Sequence, residues 1–296
     1  MVGLMYSLAA AAVLITAAAL PPATPTMPAT PTMPASAAPS RVPKLSDPYA
    51  HIAFGYALAI DDDLLWGHNL NGPHAPASLV KLLASVVLLD SRWNPDELLT
   101  VSETASRMTR PRVGLRAGDK VRAEDALTAM LVQSANDACL TLIEHSGLGV
   151  AGFAAEMNAR AIALGMRNTH VAHPCGFDAA GQHSTVSDLM RLARAAYADP
   201  RIARIVGMHN GTLRTAAGVQ LSFNSSNQLL GRLDGVIGMK TGYTAEAGDC
   251  VIALAEQSGH RVWLVLLDSR ERWFAAHRII SDALAVAASR DVPRHH

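Results

Sequence analysis

The sequence predicts a mixed α/β fold of the α+β type: an antiparallel β-sheet flanked by helices, with a mainly helical subdomain. Three observations predict it. A strand-like segment stands near the start, a long stretch of helical spacing follows, and the last third returns to strands before a closing helix. Half of the 296 residues are hydrophobic, enough for a sizeable core. The formal net charge is zero, which gives no electrostatic reason to expect nucleic acid, a partner that normally needs a clustered basic face.

The elements follow in order. Residues 51–60 (HIAFGYALAI) are apolar and β-prone, and Asp61, Asp62 and Asp63 supply a turn. After Pro73 and Pro76, the stretch ASLVKLLASVVLL from Ala77 to Leu89 reads as one helix, apolar on almost every side and therefore buried. Helical periodicity recurs over residues 123–132, 135–145 and 150–164, with Gly147 and Gly149 between the last two. A further helix covers residues 186–198, with Ser184, Thr185 or Ser187 available as its cap. Residues 236–239, 250–255 and 262–267 read as strands, and residues 272–288 as the closing helix.

Outside this unit the chain changes character. Residues 1–20 hold an Ala/Leu/Val/Ile run that fits a secretory signal, or a membrane anchor if it is not cleaved. Residues 21–48 are rich in Pro, Ala and Thr, with the hexapeptide PATPTM twice in tandem, and are expected to be a solvated linker. The catalytic domain is expected over residues 49–288 and a disordered tail over 289–296. Because only four lysines occur, Lys44, Lys81, Lys120 and Lys240, two of them in chemically suggestive settings stand out.

The first setting is Ser78-Leu-Val-Lys81. A lysine inside an all-apolar helix is desolvated, which disfavours its ammonium form and makes it a usable base near neutral pH. Ser78 lies one turn earlier on the same face, where its proton is within reach. The helix N-terminus favours negative charge developing there. A helix cap with a snorkelling lysine would explain the pair equally well if it stood alone. It does not stand alone: Ser134-Ala-Asn136 lies between two helices, and Lys240-Thr241-Gly242 ends a strand.

This set, in this order, resembles the low-molecular-mass penicillin-binding proteins of the D-alanyl-D-alanine carboxypeptidase family, with the β-lactamase/DD-peptidase-like fold. NGPHAPASLVKLLA, LTAMLVQSANDACLTLIEH, FAAEMNARAIALGMRNTH, HPCGFDAAGQHSTVSDLMRLA and NQLLGRLDGVIGMKTGYTAEAGDC are all similar to consecutive segments of that family. The resemblance implies that Ser78 attacks the carbonyl of the penultimate D-Ala of a peptidoglycan stem peptide, and that Lys81 takes its proton. It implies that Ser134 and Asn136 complete the proton network and hold the substrate amide. Lys240 and Thr241 would receive the terminal carboxylate, and Gly242 would let substrate backbone lie along the strand. The backbone N–H groups of Ser78 and Tyr243 would form the oxyanion hole. β-Lactams are the implied covalent inhibitors.

Three departures from the family pattern stand out. Cys175 occupies a position that is often histidine, Leu79 and Val80 fill the usually smaller middle of the first motif, and DDDLLWGHN replaces the usual turn. Some relatives carry a second, C-terminal β-domain, which is not expected here. A DD-endopeptidase would use the same residues. A class A β-lactamase needs a glutamate for deacylation, and neither Glu144 nor Glu156 stands in the setting that class uses. A non-catalytic wall-binding protein would usually have lost part of the constellation.

No cofactor is expected, and the residues from His170 to Cys175 lack the spacing of a metal site. Of the three cysteines, Cys139 on an apolar helix is expected to be the free thiol, and Cys175 is expected to pair with Cys250.

Overall fold

The computed structural model describes residues 47–290; the signal or anchor, nearly all of the linker and most of the tail expected from sequence lie outside the described residues. In chain order, β1 (Gly55–Ile60) and β2 (Asp63–His68) precede a 3₁₀ turn (Ala77–Val80) that runs straight into α1 (Lys81–Asp90). Then come β3 (Leu98–Thr100), α2 (Glu103–Ser106), β4 (Lys120–Arg122), α3 (Ala123–Val132), α4 (Asn136–His145) and α5 (Gly149–Ala163). α6 (Val186–Ala198), α7 (Pro200–Val206), β5 (Asn210–Arg214) and β6 (Gln220–Asn224) lead into β7 (Val236–Thr244), β8 (Gly248–Gln257), β9 (His260–Leu267) and α8 (Arg272–Arg290).

The principal sheet has five strands in the order β2-β1-β9-β8-β7, with every neighbouring pair antiparallel. The early strand thus joins the late ones, as the sequence predicts. Strand periodicity divides the core in two. Tyr56, Leu58 and Ile60 of β1, Val251 and Ala253 of β8, and Leu264 and Leu266 of β9 face α8, where they meet Ala276, Ile279, Ile280 and Ala283. The alternate residues, Ala57, Ala59, Ile252, Leu254, Trp263 and Val265, face the helical layer built around Leu79, Leu82, Leu83, Leu127 and Met130. Because both faces are covered, β1, β8 and β9 are nearly continuous apolar runs.

The helices begin where the sequence offers caps. Thr185 accepts from Asp188 N at 3.2 Å to start α6, and Asp199 accepts from Arg201 N at 2.8 Å to start α7, with Pro200 in its first turn. No single described helix is long and apolar enough to cross a membrane.

Two expectations are corrected. The stretch from Ala77 is not one helix: Ala77 has φ +48°, Ser78 sits in the 3₁₀ turn, and the α-helix begins at Lys81. The disulfide joins Cys139 to Cys175, with Cα atoms 6.1 Å apart, and Cys250 is the free cysteine. The reason is tertiary. The start of α4 and the loop around Cys175 both converge on Lys81, whereas Cys250 is fully buried near the start of β8, where its thiol donates to Ala247 O at 3.3 Å. Burial pushes that thiol up to about 12, which makes it inert. Closing 36 residues of chain stabilises the fold by about 4 kcal/mol in the chain-entropy account.

This pairing predicts a thiol count. Native unreduced protein should give no reaction with a maleimide, denatured unreduced protein one equivalent at Cys250, and denatured reduced protein the full three cysteines. Peptide mapping that placed the single labelled thiol at Cys139 would overturn the assignment.

Candidate active site

Lys81 is the first residue of α1, and its side chain is wholly buried beneath the 3₁₀ turn that carries Ser78. Its Nζ lies 2.8 Å from Ser78 Oγ, 2.9 Å from Asn136 Oδ1 and 2.7 Å from the carbonyl oxygen of Cys175. Burial pulls its pKa down from 10.5 to about 7. No carboxylate touches Nζ to oppose that effect, since each of the three contacts is a neutral oxygen.

In the neutral form that burial favours, the hydrogens of this cluster can be assigned. A neutral amine has two hydrogens and one lone pair. The Cys175 carbonyl can only accept. Asn136 is held with its oxygen toward Lys81 because Nδ2 donates to Thr109 O at 3.0 Å. Two hydrogens thus go to two obligate acceptors, and the lone pair is left for the hydroxyl hydrogen of Ser78. The two groups sequence analysis paired thus stand within hydrogen-bond distance, the geometry that a nucleophile and its base would need.

Asn136 is itself well anchored. Its N–H donates to Pro111 O at 2.8 Å, and the neighbouring Asp137 carboxylate accepts from the N–H groups of Gly114 (2.9 Å), Leu115 (3.0 Å) and Val113 (3.2 Å). Asp137 was not singled out from sequence; an acid one residue into a helix looks like ordinary dipole compensation. Ser134 takes the left-handed conformation, φ +67°, where the chain reverses between α3 and α4. It is buried, and among the described residues its hydroxyl makes no hydrogen bond to Ser78 or Lys81.

The peptide joining Ala77 to Ser78 is gripped from two sides. A Cβ on Gly242 would fall 2.9 Å from Ala77 Cβ and 3.2 Å from Ser78 N; one on Gly176 would fall 2.1 Å from Ala77 O and 2.9 Å from Ser78 N. The role read for Gly242 from the family resemblance, room for substrate backbone, is therefore joined by a second one. Its missing side chain lets the nucleophile's own backbone close onto β7. Gly176, at φ +81°, does the same from the loop and was not foreseen.

On β7, Lys240 is buried and its Nζ donates to Thr241 O at 2.9 Å. Burial lowers its pKa well below the usual lysine value, and the positive charges of Lys81 and Arg272 add to this. Thr241 Oγ1 lies 2.6 Å from Ser226 Oγ. Tyr243 is 67% exposed.

Arg272, another residue that sequence reasoning passed over, fixes this strand. Its Nη1 donates to Gly242 O at 2.7 Å and lies 3.2 Å from Cys250 O and 3.0 Å from Asp249 Oδ1. Asp249 O accepts from Ser269 N on the β9 side, so the next residue, Cys250, turns its backbone groups toward its register partner Gly242, whose carbonyl faces β8. Across a trans peptide the N–H of Tyr243 then points the opposite way, to the edge of β7 that no strand of the sheet covers.

Among the described residues no group of three His, Cys, Asp or Glu is arranged to hold a metal ion. A cavity of about 620 Å³ at the far end of α1, lined in part by Leu88, Trp93, Leu142 and Phe153, contains none of the motif residues.

Comparison with known proteins identifies the family of the chain. Residues 46–271 match the family described as D-alanyl-D-alanine carboxypeptidase. The chain is 35% identical over 207 residues to D-alanyl-D-alanine carboxypeptidase DacB2 of Mycobacterium tuberculosis, covering 69% of this chain and 70% of that protein. It is 33% identical over 225 residues to the D-alanyl-D-alanine endopeptidase of Pseudomonas aeruginosa, covering 74% and 72%. The crystal structure of the Streptomyces K15 DD-transpeptidase superposes with a TM-score of 0.73 at 26% identity, covering 79% of this chain and 97% of that one. Several other curated carboxypeptidases are longer, the chain spanning about half of their length.

Two outcomes are expected. Gly242→Ala should slow acylation of Ser78 by about a hundredfold, the effect of a misplacement on the ångström scale, while circular dichroism shows a folded protein. In urea titrations wild type should gain stability relative to Lys81→Met as pH rises from 7 to 10.5, because the unfolded lysine holds its proton across that window and the folded one has lost it. Parallel stability profiles would show that Lys81 is not held neutral by burial.

Proposed function

Because the chain belongs to the D-alanyl-D-alanine carboxypeptidase family, we propose that it is a serine-type, penicillin-binding hydrolase that removes the terminal D-Ala from peptidoglycan stem pentapeptides. The observation that carries the reading is the buried Lys81 amine, its Nζ 2.8 Å from Ser78 Oγ, 2.9 Å from Asn136 Oδ1 and 2.7 Å from Cys175 O, with its pKa pulled down to about 7 by burial.

The reaction follows from that arrangement. Lys81 accepts the Ser78 proton as Oγ bonds to the carbonyl carbon of the penultimate D-Ala. The oxyanion that forms is met by the N–H groups of Ser78 and Tyr243, the latter turned to the open strand edge by Arg272. Collapse breaks the peptide bond, and the leaving amine of D-Ala takes the proton back. Water then attacks the acyl-enzyme by the same path, releasing the shortened peptide. A β-lactam carbonyl enters identically.

Asn136 orients Lys81 through Oδ1, and one Nδ2 hydrogen beyond that given to Thr109 O serves the substrate amide. Ser134 relays the proton toward the leaving nitrogen. Lys240 and Thr241 receive the terminal carboxylate, whose negative charge supplies what a buried, charge-poor lysine lacks. The place of work is outside the cytoplasm, facing the cell wall, or membrane-anchored and facing outward; the apolar run in residues 1–20 and the disulfide support this. The proposed organisation is residues 1–20 as signal or anchor, 21–48 as linker, 49–288 as catalytic domain and 289–296 as tail.

Benzylpenicillin should add covalently and stoichiometrically to Ser78 and not to Ser78→Ala, read by intact mass. Wild type left unmodified at high penicillin would overturn the proposal. Lys81→Ala should slow acylation by about a hundredfold to ten-thousandfold. Incubation with a defined pentapeptide should release D-Ala, while a cross-linked muropeptide dimer should remain intact. Release of monomers from the dimer would instead assign the endopeptidase activity named for the Pseudomonas relative.

A further inference from the structure

We infer that the Cys139–Cys175 disulfide is a positioning element of the active site: it bolts together the two segments that supply both acceptors of Lys81, so Ser78 is acylated at its full rate only in the oxidised protein. The inference rests on the reading of Ser78 as nucleophile and Lys81 as base.

The connection is short on both sides. Cys139 lies one helical turn beyond Asn136 in α4, and Cys139 N donates to Ala135 O at 3.1 Å, so the two side chains belong to one rigid turn. At the other end, Cys175 is itself the residue whose carbonyl accepts from Lys81 at 2.7 Å. The bridge therefore runs from acceptor to acceptor: Asn136 Oδ1, α4, Cys139, Cys175, Cys175 O. The next residue, Gly176, lies against the Ala77–Ser78 peptide, so the same loop also supports the nucleophile's backbone. Both bridged cysteines are buried in this position, at 0% and 1% exposure.

Other ties hold the loop, but to different places. Gln182 accepts from Ala172 N (3.1 Å) and His173 N (2.8 Å) and donates to Phe177 O (2.6 Å), stitching the loop to its own far end. Asn158 pairs with both backbone groups of Val171 at 2.8 Å, tying the loop to α5. Neither fixes Cys175 O relative to Asn136. With the bridge open, the acceptors are free to separate, water reaches the amine, and the lone pair is no longer directed at Ser78.

The other charged groups around Lys81 are Lys240 on β7 and His173 on the loop, whose own pKa is lowered by burial and by Lys81. Asp137 on α4 is turned away to the N–H groups of residues 113–115. Among the described residues no carboxylate contacts Nζ, so entry of water moves the lysine back toward its ordinary range by undoing its desolvation.

The test measures the acylation rate of the full chain by a fluorescent penicillin, as a function of pH. Oxidised wild type is compared with wild type reduced by tris(carboxyethyl)phosphine, which delivers two electrons to the bridge and takes up the oxygen of water while two thiols form. Bridge opening is verified by thiol count, and each rate is normalised to the folded fraction from circular dichroism. Cys139→Ser and Cys175→Ser give the same comparison without reductant, and Cys250→Ser serves as the control with its bridge intact. Reduction and both bridge variants are expected to slow acylation by about tenfold or more, part of what a positioned base contributes, and to move the midpoint of the pH profile upward. Reoxidation should restore rate and midpoint. A bridge with a merely structural role would lower the melting temperature and leave both readouts unchanged in the folded fraction. Reduced, folded protein that reacts as fast as the oxidised form, with the same pH midpoint, would overturn the inference. Oxidised wild type that takes up no penicillin would instead remove the Ser78 assignment, and this inference with it.

Discussion

The site depends on one constraint: a lysine amine enclosed without a counter-charge must be given two neutral acceptors and no more. If a carboxylate stood where Asn136 or the Cys175 carbonyl stands, attraction would hold the proton on Lys81 and the base would be lost. If either acceptor were missing, a buried N–H would be orphaned, and turning that hydrogen toward Ser78 would cost the lone pair its target. Side-chain oxygen and backbone oxygen together leave the neutral amine one direction for its lone pair, toward the Ser78 hydroxyl.

The rest of the fold serves that geometry by bringing three separate parts of the chain to one point. The sheet provides a stiff edge, β7, with Arg272 at the start of α8 holding its backbone from behind. The helical layer provides α4, locked at its N-terminus by the loop that Asp137 gathers. Between them, the turn carrying Ser78 is pressed from both sides at residues that have no side chain. Ala77 accepts a left-handed backbone there, a local strain of the kind that surrounding packing must over-determine. The two glycines are what allow that packing to be close enough.

A second buried lysine within the same electrostatic field completes the design. Burial disfavours the charge on both lysines, and for Lys240 the neighbouring Lys81, when protonated, and Arg272 add to this. Such a cluster costs stability in the resting protein and becomes favourable only when an anion arrives. In the proposed reaction, the carboxylate end of the stem peptide would supply that anion.

Sequence by itself determined the parts whose signals are local. Helices α3 and α6 fall on their predicted residues because period and capping are written within a single turn, and the three motifs could be read because each is contiguous. Tertiary structure alone decided the rest. The edge strand β2 and the short pairs β3–β4 and β5–β6 have mixed, largely exposed patterns that only a partner strand makes regular. Cys175 pairs with Cys139 rather than Cys250, Gly242 serves the nucleophile's backbone, and Arg272 steers a carbonyl on a different strand. Each of these depends on which distant segments meet, and a backbone carbonyl such as that of Cys175 carries no mark in the sequence, because every residue has one.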